Sequence, residues 1–171
     1  AISLLKETEH YPHNLGEGKL INAEENEVDY YKGIAYQKLG NEVESTKYLM
    51  KATQGSSEPQ QAFYYNDQQP DKIFYQGLAW RALGEESKPR RSFNKLIDHG
   101  KKHLFDECKI DYFAVSLPEL AIWEDDLNVR NKVHCYYVMA LGYSGIGEEE
   151  LAEEYYEKVK RLDVNKQVFR M

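Results

Sequence analysis

The chain has little of what would announce a chemistry. Two cysteines in 171 residues, Cys108 and Cys135, are too few for the disulfide framework of a small secreted fold. They read as a thiol pair of a cytoplasmic protein, with a single bridge as the alternative. No run of 18 apolar residues is present, so no membrane span is expected, and no secretory signal is visible. There is no CxxC pair, no glycine-rich phosphate loop following a strand, and no distinctive Ser/His/Asp or Cys/His order. Positive charge is short as well. Lys and Arg number 22 against 29 Asp and Glu, a net −7, which makes a poor general nucleic-acid binder. Proline is scarce at 5 while tyrosine reaches 14, the balance of a helical domain.

What is present is helical periodicity, clearest from Tyr136 to Leu162. Val133, Tyr136, Tyr137, Ala140, Leu141 and Tyr143 recur on one face of a first helix. Leu151, Ala152, Tyr155, Tyr156, Val159 and Leu162 do so on a second. Gly145-Ile146-Gly147 separates the two, because glycine takes a left-handed conformation cheaply. Glu148, Glu149 and Glu150 open the second helix and Lys158, Lys160 and Arg161 close it, each matching the sign of the helix dipole. The small residues Ala140, Gly142 and Ala152 are placed at the contact between the two helices of this hairpin.

Two weaker copies lie upstream. Gly33, Ala35, Tyr36, Leu39, Gly40, Ser45, Leu49 and Ala52 form one, and Gly77, Ala79, Trp80, Leu83, Gly84, Phe93 and Leu96 the other. Helices are expected at 26–39, 42–53, 59–65, from Pro70 to Leu83, and from Ser87, as N-cap, to Asp98. Ile2 to His10 reads as the tail helix of a truncated repeat, followed by a loop from Tyr11 to Gly18. The hairpin glycines at 40, 84 and 147 stand 44 and then 63 residues apart. The excess, Lys101 to Asn131, has helical spacing at Leu104, Phe105, Cys108, Tyr112 and Val115, and a helix start at Ser116-Leu117-Pro118-Glu119. One or two extra helices are expected there.

The recurring pattern resembles the tetratricopeptide repeat (TPR), a helix-turn-helix unit of about 34 residues. The matching positions are Tyr136, Ala140, Tyr143, Gly147, Ala152, Tyr156 and Val159. Val164 stands where the family usually has proline. The resemblance implies an all-α fold, with TPR-like hairpins forming a right-handed α-superhelix of irregular spacing with inserted helices. The order YPHNLGEG, DYYKGIAYQKLG, KIFYQGLAWRALG, HLFDECKIDYFAVSLPEL and NKVHCYYVMALGYSGIG also resembles the C-terminal helical part of large bacterial proteins of uncharacterised function. Those carry a β-rich, sugar-enzyme-like region upstream. This second resemblance implies residues 1–171 to be one helical domain, a C-terminal piece of a longer cytoplasmic bacterial protein, and it brings no catalytic residues.

Candidate sites are few. His103, Cys108, His134 and Cys135 are zinc-ligand types, but adjacent residues leave a helix about 100° apart, so packing is preferred over a metal site. Glu124, Asp125 and Asp126 cap the helix near Leu127 better than they make a paired-carboxylate centre. Lys88, Arg91, Lys95, His99 and Lys102 form a basic stripe, read as a solvated face. Tyr36, Trp80 and Tyr143 are expected to pack between helices. No cofactor or metal is expected.

In a TPR array the first helices of successive hairpins line a concave face. With the copies aligned on their glycines, that face holds Tyr30, Phe74 and Tyr137, then Ile34, Leu78 and Leu141, then Gln37, Arg81 and Ser144. These are the candidate partner-binding residues, for a protein or peptide that includes the chain's own upstream region. Filling of this groove by residues 101–131 is the alternative. The sequence reading is therefore a non-catalytic interaction or scaffold module. The runner-up is an accessory helical portion of a carbohydrate-active enzyme whose active site lies upstream.

Overall fold

A computed structural model describes residues 1–8, 10–12, 14, 16, 18, 24–61, 68–108 and 126–164. Among these it shows seven α-helices and no strand. They are α1 (Ile2–Glu7), α2 (Asn26–Lys38), α3 (Glu42–Ala52), α4 (Pro70–Ala82), α5 (Ser87–His103), α6 (Leu127–Ile146) and α7 (Glu149–Leu162). The pairs α2–α3, α4–α5 and α6–α7 are hairpins, and α1 rests on α2.

The three hairpin turns are built alike. Gly40, Gly84 and Gly147 have φ of 74°, 81° and 86°, the left-handed region that a side chain would strain. The amide after each glycine donates back to an aromatic residue's carbonyl: Asn41 to Tyr36, Glu85 to Trp80 and Glu148 to Tyr143, each at 3.0 Å. The glycine amides donate to Gln37, Arg81 and Ser144. This Schellman arrangement satisfies carbonyls that a helix end leaves open.

The packing repeats too. Gly33 and Gly77 lie so close to the next helix that a β-carbon would meet Leu49 and the Phe93 ring respectively. The third hairpin has Ala140 and Tyr156 at the same register, both buried in one cluster. Between hairpins, Ala79 of α4 joins Leu49 and Ala52 of α3 in a small cluster. The main core runs through α4, α5, α6 and α7 around Ile73, Phe93, Leu96, Val138, Leu141 and Val159. Helix α6 packs most extensively on α5.

Several expectations need correction. Gly142 faces α5, not its own hairpin partner: a β-carbon there would meet Ile97 and the Phe93 carbonyl. Helix α5 runs five residues past Asp98, because Gly100 lets it lie against the Cys135 carbonyl and Met139 of α6. Its N-cap is Glu86, one residue before Ser87. The cap expected near Leu127 is present: α6 starts there, and the Asp126 carboxylate accepts from the Asn128 and Val129 amides at 2.9 and 3.2 Å. Residues 59–61 are not helical. Helix α1 ends at Glu7 with Thr8 as its C-cap, short of the expected His10. Residues 62–65 of the helix expected at 59–65 and the start at Ser116 lie outside the described residues. So does most of the expected insertion, 109–125.

Candidate partner-binding face

The nine candidate residues occupy equivalent positions on α2, α4 and α6, but their surroundings differ. Phe74 and Tyr137 are each 4 % exposed, and Leu78 and Leu141 are likewise buried. All four belong to the main core. Phe74 meets Phe93 and Tyr75 at centroid separations of 5.7 Å. Burial of this size contributes stability rather than partner contact. On α2, Tyr30 and Ile34 are half-buried and Gln37 is exposed. Arg81 is exposed and Ser144 half-buried. The accessible part of the face is therefore Tyr30, Ile34, Gln37, Arg81 and Ser144. To these the structure adds Tyr31, 43 % exposed, whose hydroxyl lies 3.2 Å from that of Tyr75.

Arg81 is the pivot of this face. Its guanidinium sits 5.1 Å from the Phe93 ring centroid and donates to the Gly145 carbonyl in the last turn of α6. Helix α6 has no basic residue of its own in that turn. A cation borrowed from α4 therefore meets the negative end of its dipole. Burial, then the Tyr31 hydroxyl, raises the Tyr30 pKa, and the charge of Arg81 offsets part of that rise.

Beside Arg81, between the α4–α5 turn and the α6–α7 turn, opens a cavity of about 330 Å3. Phe93, Pro89 and Ile146 give it apolar walls, and Arg90, Glu86 and Glu148 bring both signs of charge to it. Glu85 also lines it but is engaged by Lys88 at 3.0 Å. The volume is at the small end of the range for ligand pockets.

The other constellations resolve into structure. The basic stripe is broken up: Lys88 lies 3.8 Å over the Trp80 ring, Lys95 pairs with Glu58, and His99 is half-buried. Tyr36 stacks on Tyr48 at 5.5 Å and Tyr143 on Tyr155 at 5.5 Å, across α2–α3 and α6–α7. Lys158 stands over Tyr155 at 4.3 Å. Cys108 and Cys135 are free and buried, and burial raises both thiol pKa values, that of Cys135 to about 12. His103 Nδ1 is 2.6 Å from Asp106, and His134 Nε2 donates to the Gln60 carbonyl at 2.7 Å. Among the described residues, no three His, Cys, Asp or Glu side chains converge as metal ligands. Glu124 and Asp125 lie outside the described residues.

Sequence reasoning missed the grouping of His99 with His103 and His134. The spacing of four between His99 and His103 was a readable sign of a shared helix face. The sequence brought His103 and His134 together only as zinc-ligand types, and nothing in it pointed to Gln60. Among the described residues no helix is long and apolar enough to cross a membrane. In comparisons with known proteins, no family model and no solved structure matches this chain.

Proposed function

We propose that the chain is a TPR-like helical-repeat module, non-catalytic, that docks a protein or peptide, including an upstream region of its own polypeptide. The observation that carries this reading is the repetition at atomic level. Three hairpins share one turn geometry, and their first helices lie side by side as α2–α4 and α4–α6. Such stacking, continued as a right-handed superhelix, gives one extended face on which a partner is gripped by side chains rather than transformed. The accessible residues on that face are Tyr30, Ile34, Gln37, Arg81 and Ser144, with the cavity beside Arg81 as an anchor point. Aromatic and arginine side chains are the types that dominate binding energy at interfaces. A cytoplasmic, bacterial setting belongs to the same proposal and rests on the sequence resemblance alone.

The test compares the wild-type chain with Gln37→Arg, an exposed change on this face. A purified binding partner should lose affinity for the variant while both chains melt at the same temperature. Equal affinity for both would move the docking surface elsewhere. Turnover of a glycoside panel by the purified chain would overturn the non-catalytic reading.

A further inference from the structure

The segment 54–61, leading out of α3 toward α4, is tied down from four helices. Asn26 of α2 donates to the Gln54 carbonyl at 2.9 Å, and Gln76 of α4 to the same oxygen at 2.8 Å. Lys95 of α5 holds Ser57 and Glu58. His134 of α6 donates from Nε2 to the Gln60 carbonyl, which can only accept. The first two ties are amides and do not titrate. The last is an imidazole with two more behind it. His99 lies edge-on to His134 with centroids 6.0 Å apart, and His103 is 4.6 Å from His99.

His99 Nε2 is buried with no hydrogen-bond partner among the described residues. The charged groups around it are uneven. From α5 come His103 and Lys102, and from α6 His134; one turn before His99, Lys95 pairs with Glu58 of the segment. Among the described residues, Asp106, in the turn after α5, favours a charged His99, and it is held by His103. A proton placed on His99 Nε2 therefore adds a cation among two imidazoles and a lysine, at a buried atom with no acceptor among the described residues.

We propose that His99, packed between His103 and His134, is the acid trigger of a latch on segment 54–61: with His99 neutral, His134 holds Gln60, and a proton on His99 forces the packed rings apart and lets the segment go. Only a proton is gained and only hydrogen bonds change. Burial first, then His103 and Lys102, lowers the His99 pKa from 6.5 to about 4 while it is packed. A released His99 takes up its proton at the ordinary value. Across that window the released form binds more protons, so release grows as the pH falls from 6.5 toward 4.

The experiment is NMR on the full chain between pH 7 and pH 4. It follows the imidazole resonances together with backbone shifts and heteronuclear NOEs of residues 54–61. The NOEs of the segment should fall with the midpoint of His99, while those of α2 and α3 hold. In His99→Gln the segment should stay ordered across the window. In His103→Gln, which removes a neighbouring charge, the midpoint should rise. This second variant tests the latch even where the first does not fold. A segment unmoved while His99 titrates, an unchanged loosening in His99→Gln, or a His99 that titrates at its ordinary value would each overturn the latch.

Discussion

The Phe93 ring of α5 lies directly against the backbone of Gly145 in α6, so that a β-carbon on Gly145 would fall on ring atoms. Gly77 of α4 approaches the same ring, and the Arg81 guanidinium covers it. One side chain, 0 % exposed, thus fixes the distances among three helices.

Two effects of opposite sign make Gly145→Ala informative. Alanine in a helix interior stabilises by about 1 kcal/mol relative to glycine. The clash with Phe93 costs about 1–3 kcal/mol, and a ring packed from two sides has little room to yield. The expected outcome is a net loss in urea unfolding, partly recovered by Phe93→Leu in the same chain. A gain in stability would mean that the three helices do not meet at this ring.

Phe74→Ala should cost about 3–5 kcal/mol, the loss expected for a core aromatic. An open groove at this position would instead leave the unfolding midpoint nearly unchanged. Denaturant titration separates the two, and the burial of Phe74 among Tyr75 and Phe93 favours the large loss.

Removing the cap at the start of α6 should be felt through the whole last hairpin. Asp126 accepts two amide hydrogens there, so Asp126→Ala should destabilise by about 0.5–2 kcal/mol. Asp126→Asn keeps an acceptor and should lose less. Thermal melts that rank the two variants the other way would reject the cap.

Cys135 is 0 % exposed and its thiol is pushed up to about 12. The thiolate is the reactive form, so at pH 8 Cys135 should resist a thiol-reactive disulfide reagent in the native chain. It should react promptly once the chain is unfolded in guanidinium. Fast labelling of both thiols in the native state would show that α6 does not seal Cys135.

Local signals carried most of the element boundaries. Pro70 opens α4 because a first-turn proline gives up no helical hydrogen bond. The glycines at 40, 84 and 147 end three helices because each needs a positive φ. The periodic apolar faces then named most of the core, including Leu49, Phe93, Leu96, Ala140 and Tyr156. The accessible half of the candidate face was legible only as a register, since the same template position is exposed at Arg81 and half-buried at Ser144.

The sequence by itself determined the helices and the three hairpins found among the described residues, because helix caps, turn glycines and apolar periodicity act over a few residues and need no distant partner. Tertiary structure alone decided which way each face turned. Gly142 proved to be a contact with α5 rather than with α7, and Phe74 and Tyr137 proved to be core rather than groove. It also decided that Arg81 completes the end of α6, and that His134 reaches Gln60 across 74 residues. Such pairings depend on how neighbouring hairpins stack, and stacking is set by the summed fit of many side chains that no local pattern encodes.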